Sequence, residues 1–253
     1  MKLAAVSLED KYIAEQGEVF LTGTQALVRL PMMQCRLDRS SNINSAGYIS
    51  GYRGSPLGGF DKALWQAEDH LKKHNVSFQP GVNEDLAATA LWGTQQSNLY
   101  SDGRYDGIFG IWYGKSPGVD RSIDVFKHAN LAGTARHGGV LVLAGDDHVC
   151  ASSTTAHQSE YDLKAAMIPV FDPSGVQEII DYGLYGWALS RYSGLWISFV
   201  CIAETLDSSA IVSIDPKRIS IKNPEDFYIP PDGLNIRWPD TPLDQERRLL
   251  DYK

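Results

Sequence analysis

Cysteine is scarce in this chain of 253 residues, and its three copies, Cys35, Cys150 and Cys201, stand too far apart to write a disulfide framework or a zinc motif. An iron–sulfur relay, whose thiolates must cluster, is not encoded here either. Apolar runs are short, and none reaches the roughly 20 residues of a membrane-spanning helix. Positive charge is in deficit: 23 Lys and Arg face 31 Asp and Glu, for a formal net charge of −8. That balance excludes a nucleic-acid platform or a basic membrane-surface protein, both of which need cationic patches to meet phosphates. The opening MKLAAVSLEDKY turns acidic too early for a secretory signal, so a cytoplasmic protein is expected.

What the chain does have is a hydrophobic fraction of 43%, enough for a substantial core, and an alternation of strand and helix patterns. Residues 1–17 are polar and read as an arm. Helical spacing over Val19 to Arg39 predicts a helix, capped by Thr22 or Thr24, with Pro31 as a kink or a later start. Short strands follow at Ala46 to Ser50, Val76 to Phe78 and Tyr105 to Tyr113, separated by helices at Phe60 to Lys73 and from Asn83. Pro117 suits the first turn of a helix over Val119 to Leu131. The run GVLVLAG, ending at Gly145, is continuously aliphatic, as a strand buried on both faces should be. Residues 150 to 161 read as an active-site loop, and Asp162 to Met167 lead back toward a strand at Ile168 to Phe171. Asp172-Pro173-Ser174 then caps a helix to Ser190, and Gly194 to Ala203 gives a last strand. The pattern predicts a doubly wound α/β domain over residues 18–207, a mainly parallel sheet of about six strands with helices on both faces. From Ser208 the periodicity fades, and six of the twelve prolines fall in residues 208–253, an extended tail. The tail ends in an amphipathic helix without a C-cap, so a piece of a longer protein is expected.

The chain is organised around GVNEDLAATALWG, Gly81 to Gly93. Pro80 and Gly81 close a turn, Asn83 is a favoured N-cap, and Glu84 and Asp85 sit where the positive end of the helix dipole welcomes anions. Leu86, Ala87, Ala90 and Leu91 form the apolar face. Glu84 thus falls at the crevice beyond the strand ends, where open α/β sheets bind ligands. On position alone the plainer reading is a helix-opening acid and nothing more.

Other motifs leave alternatives open. GYRGSPLGG, from Gly51, lacks the G-x-G-x-x-G fingerprint, so it is either a glycine-rich turn or a ligand loop. GIWYGKS, Gly110 to Ser116, fails the P-loop spacing, yet Lys115 lies at a strand's carboxyl end, as a ligand contact or a surface ion pair. Asp146, Asp147, His148, Cys150 and His157 are the densest set of metal-ligand types, and on that ground a metal-dependent hydrolase is an alternative.

Taken together, the segments around Gly51, Glu84, Lys115 and Asp146 resemble the N-terminal part of the indolepyruvate ferredoxin oxidoreductases, members of the thiamine diphosphate-using 2-oxoacid:ferredoxin oxidoreductases. The resemblance spans nearly the whole chain and implies the domain type that holds the cofactor's aminopyrimidine ring. It implies Glu84 as the catalytic acid bonded to that ring, with Asn83 and Gly54 beside the cofactor. It also implies Arg53, Ser55, Pro56 and Lys115 on the substrate side, with no metal ligand in this chain. A buried carboxyl group sharing a proton with the ring promotes the imino form that can deprotonate the thiazolium. A helix N-terminus favours a carboxylate by about 0.3 to 1 kcal/mol, whereas full burial raises its pKa by up to about 3 to 5, so burial wins in a closed cleft. The implied reaction is oxidative decarboxylation of an aryl or branched 2-oxoacid to acyl-CoA, with ferredoxin as electron partner. Magnesium ion and iron–sulfur clusters would be held by other domains or subunits, in an assembly of two or more copies. The sequence departs from the archaeal members, which have Gly-Thr-Pro where this chain has Gly54-Ser55-Pro56, and GKSPGVDRS is insertion-like. A non-catalytic interface module of the same fold is the remaining alternative.

Overall fold

The computed structural model describes residues 6–148, 155–215 and 218–253. In chain order the elements are α1 (Asp10–Ile13), β1 (Glu18–Thr22), α2 (Gly23–Ser40), β2 (Ser45–Gly51), α3 (Phe60–Gln66), α4 (Glu68–Lys73), β3 (Val76–Phe78), α5 (Glu84–Gln95), β4 (Gly107–Lys115), α6 (Ser116–Ala132), β5 (Val140–Gly145), α7 (Ser159–Ala165), β6 (Val170–Phe171), α8 (Val176–Ser193), β7 (Ile197–Cys201), α9 (Ala203–Leu206), β8 (Ser209–Ser213) and α10 (Pro242–Tyr252). Six strands form one sheet in the order β3-β2-β4-β5-β7-β6, and every pairing in it is parallel. Among the described residues no helix is long and apolar enough to cross a membrane.

Alternate residues of the central strands feed two cores, as the pleat requires. Phe109, Ile111 and Tyr113 of β4, with Leu141 and Leu143 of β5, pack under α2, α3, α4 and α8. Trp112, Val140, Val142 and Ala144 face the other way, under α5, α6 and α7. The sheet is therefore covered on both faces, and its middle strands are apolar throughout. The chain runs from β2 outward to β3 and then crosses back to β4, so the winding direction reverses between β2 and β4. Their carboxyl ends, Gly51 and Lys115, mark the switch point at which ligands enter such sheets.

Several local readings are corrected. Val19 to Thr22 is a strand: Val19 and Leu21 are buried while Phe20 is exposed, a period of two, and the ladder to β8 is antiparallel with Phe20 opposite Ile211. The helix begins only after Thr22, which caps it in a reciprocal box with Gln25, and it continues through Pro31. Phe60 to Lys73 is two helices meeting at Ala67, with Trp65 half exposed against Phe78. Leu86 and Ala90 face solvent, and α5 instead buries Ala87, Ala88, Leu91 and Gln95. The return from the predicted loop starts earlier than Asp162, as a helix from Ser159. Gly175, not the Asp172 to Ser174 turn, caps α8, because Ser174 is engaged with Glu178.

Layers on one face are tied by a buried carboxylate. Asp38 at the end of α2 is 3% exposed and accepts from both terminal nitrogens of Arg191 on α8, at 2.6 and 2.8 Å. Ser45 Oγ at 2.6 Å and Gln34 Nε2 at 2.9 Å complete its shell. Replacing Asp38 by Ala strands the Arg191 guanidinium in a nearly closed site, at an expected cost of about 3–5 kcal/mol. Urea unfolding should show it as a lower midpoint at unchanged slope.

Candidate active site

Close backbone contacts build the mouth of the sheet. Tyr52 N–H donates to the Tyr113 carbonyl at 3.0 Å, and Gly81 N–H donates to the Gly51 carbonyl at 2.8 Å. A Cβ on Gly51 would stand 2.0 Å from the Tyr113 carbonyl oxygen, so only glycine lets β2 end here. From that pin the loop of residues 52–59 leaves on one side and α5 begins on the other.

Asn83 is the N-cap of α5, its Oδ1 accepting from Leu86 N–H at 2.8 Å, which commits that oxygen to the cap. Glu84 is the first helical residue. Its backbone carbonyl accepts from Trp112 Nε1 at 2.9 Å, fixing the helix start on β4. Its side chain is 12% exposed, with the carboxylate 3.6 Å from the largely solvated Arg121 guanidinium. The acid therefore lies at the strand ends and mostly out of bulk water. Space for it is made by two glycines. A Cβ on Gly114 would meet Glu84 Cγ at 3.2 Å, and one on Gly118 would meet it at 2.4 Å and Oε1 at 2.8 Å. Gly118 sits in the first turns of α6, where glycine costs about 1 kcal/mol relative to alanine. That local cost was the available sequence signal for this unanticipated neighbour.

The remaining predicted residues flank the same segment. Gly54 lies against the Lys115 side chain, where an added Cβ would stand 2.8 Å from Lys115 Cβ. Lys115 is half-buried, the last residue of β4 and the cap position of α6. Ser55 and Pro56 are half-buried, Pro56 reaches Gly145 at the end of β5, and Arg53 is exposed. Glu84 and Gly54 thus meet residues 114–118 from opposite sides.

Asp146 is structural glue at the end of β5. It is 1% exposed and accepts from Ser116 Oγ at 2.6 Å, Ser159 Oγ at 2.5 Å and Ser159 N–H at 2.9 Å, joining the starts of α6 and α7. His148 is exposed and Cys150 lies outside the described residues. His157 instead faces Asp120, at 3.7 Å, and Thr155 Oγ1, at 2.9 Å. Among the described residues no group of three His, Cys, Asp or Glu is placed to hold a metal ion. Cys35 is buried, and burial, then Asp38, pushes its thiol up to about 12.

The fold and this mouth define a doubly wound α/β domain with a sheltered acid at its switch point. No family model matches the chain. In sequence it is similar to the indolepyruvate oxidoreductase subunit IorA of Methanothermobacter marburgensis, 23% identical over 229 residues, covering 88% of this chain and 33% of that protein. The same subunit from Methanothermobacter thermautotrophicus is 23% identical over 248 residues, 97% of this chain and 36% of the relative. That of Pyrococcus horikoshii is 28% identical over 196 residues, 77% of this chain and 26% of the relative. In fold the chain is similar to the 2-oxoglutarate:ferredoxin oxidoreductase of Magnetococcus marinus, solved with 2-oxoglutarate, coenzyme A and succinyl-CoA bound. The TM-score is 0.63 at 14% identity, over 87% of this chain and 37% of that one. The sequence relatives are indolepyruvate oxidoreductase subunits, and the structural likeness shows a shared fold. The chain spans about a quarter to a third of the length of the curated relatives it matches.

Two outcomes follow from the geometry. Gly118→Ala, which would stabilise an ordinary helix, should lower the melting temperature, because the new methyl group displaces the Glu84 side chain. Asp120 has a raised pKa, through burial first and then Asp162, with His157 opposing. A raised carboxyl pKa favours the fold while the group is protonated and costs stability as pH climbs past the folded value. Asp120→Asn should therefore raise the melting temperature at pH 7, with the gain vanishing below about pH 4.

Proposed function

We propose that this chain is the pyrimidine-binding portion of a thiamine diphosphate-dependent 2-oxoacid:ferredoxin oxidoreductase of indolepyruvate type. The complete enzyme would convert an aryl or branched 2-oxoacid to its acyl-CoA. The observation that carries the reading is Glu84: an acid mostly out of water, at the switch point of the sheet, in a niche two glycines keep open. The donor set fits the cofactor's ring, which needs one carboxyl group able to hold and return a proton. Bound there, thiamine diphosphate supplies the electron sink for decarboxylation.

The chain's own contribution is positional. Asn83 and the Trp112 indole hold the first turn of α5, which fixes the Glu84 backbone above β4. Gly54 lets the loop backbone lie against the Lys115 side chain. Lys115 and Arg53 offer cations for a 2-oxoacid carboxylate, Arg53 with a bidentate fork, and Ser55 and Pro56 form the wall between them. Around this mouth Val82 is 83% exposed, Leu86 53% and Tyr52 40%, an apolar rim suited to a covering domain. The relatives' greater length supports assigning that cover, the magnesium-bound pyrophosphate, the iron–sulfur clusters and the ferredoxin and CoA contacts to other parts of the complete enzyme.

Glu84→Gln in the complete enzyme tests the reading. Exchange of the cofactor's C2 proton, followed by NMR in deuterated water, should slow by about 10²-fold or more. Unchanged exchange would instead favour an interface module that keeps the fold without the chemistry.

A further inference from the structure

The first turn of α5 is tied down at its backbone, through the Asn83 cap and the Trp112 indole, but the acid it carries is not. Among the described residues no hydrogen bond reaches either carboxyl oxygen of Glu84. Oε1 is turned toward Gly118, where an added Cβ would stand 2.8 Å from it. Oε2 is turned toward Arg121, whose Nη1 lies 3.6 Å away, inside ion-pair range but beyond a hydrogen bond. A carboxylate only 12% exposed has lost most of its water and gained no donor in exchange. Two sources of positive potential compensate: the N-terminus of α5, on which Glu84 is the first helical residue, and the Arg121 guanidinium.

Arg121 is placed for this by helix geometry. It follows Gly118 by three residues in α6, so the two share one face of that helix. Glycine at 118 lets the acid come close, and the next residue on the face supplies the cation. The Arg121 side chain is 58% exposed, so solvent screens the pair from one side and keeps it weak. A cation hydrogen-bonded to the same acid would be a strong rival to any ligand; at 3.6 Å this one steadies the carboxylate without locking it.

We infer that Arg121 is a positioning residue for Glu84: it is the acid's resting counter-ion, which holds the carboxylate at the mouth and gives it up to the aminopyrimidine ring. The guanidinium and a ring that bonds the same carboxyl group compete for it, and the exposed, weakly paired partner is the one that leaves, returning to water. This inference rests on the reading of Glu84 as the acid that meets the ring.

The test is thiamine diphosphate binding, by titration calorimetry at constant magnesium, to the complete enzyme stripped of its cofactor. Arg121→Gln keeps the helix and removes the charge, and should tighten Kd by about two- to fivefold. Arg121→Lys, which keeps the charge, should restore the wild-type value. At about 1 M salt, where the screening length falls to about 3 Å, wild type and Arg121→Gln should bind alike. In a Glu84→Gln background Arg121→Gln should change nothing. An unchanged or weakened Kd in Arg121→Gln overturns the inference, because the guanidinium would then be idle or itself a cofactor contact. So does a Lys variant that behaves like Gln, or a difference that persists at high salt. An equal gain in the Glu84→Gln background also overturns it, since the effect would not pass through the acid, and leaves the Glu84 reading standing. Unchanged C2 proton exchange in Glu84→Gln removes that reading and the inference with it.

Discussion

The contact of Glu84 with Gly118 constrains everything around it. Two helices, α5 and α6, start side by side at the ends of neighbouring strands, and one carboxyl group lies between them. Were either residue larger, the helix starts would separate, the Trp112 bond to the Glu84 carbonyl would lengthen, and the acid would swing into water. The parallel sheet fixes where the strands end, but the glycines decide what fits above those ends.

The second constraint lies under the sheet's other face. Asp38 and Arg191 join α2 to α8 through a fully hydrogen-bonded pair. A loop held above a rigid reference is a general arrangement for binding on α/β sheets. Here the reference for residues 52–59 is Tyr113, whose backbone anchors the loop's start and whose side chain fills the core beneath.

Much of this was legible in the residues. GVLVLAG reads as a central strand because nothing polar interrupts it, and Asn83 reads as a cap because its side chain fits no other local role so well. The position of Glu84 at the strand ends followed from that cap and the Pro80-Gly81 turn before it. What stayed hidden depended on distant partners. Val19 to Thr22 carries spacing compatible with helix or strand, and only pairing with Ser209 to Ser213 decides it. Leu86 looked like core because it is leucine, yet the helix turns it outward to the rim. Asp146 looked like a metal ligand because of its neighbours in sequence, whereas serines from two other elements had already taken its oxygens. The Gly118 contact leaves a trace only as an uneconomical residue in a helix start.

The ribbon of β1 and β8 joins segments from opposite ends of the fold, with Glu18 opposite Ser213 and Thr22 opposite Ser209. During synthesis at about 5–20 residues per second, β1 therefore waits roughly 10 to 40 seconds for its partner to emerge. For that interval the backbone N–H and C=O groups of residues 18–22 form an unpaired strand edge on a nascent polypeptide, a template for pairing with another chain.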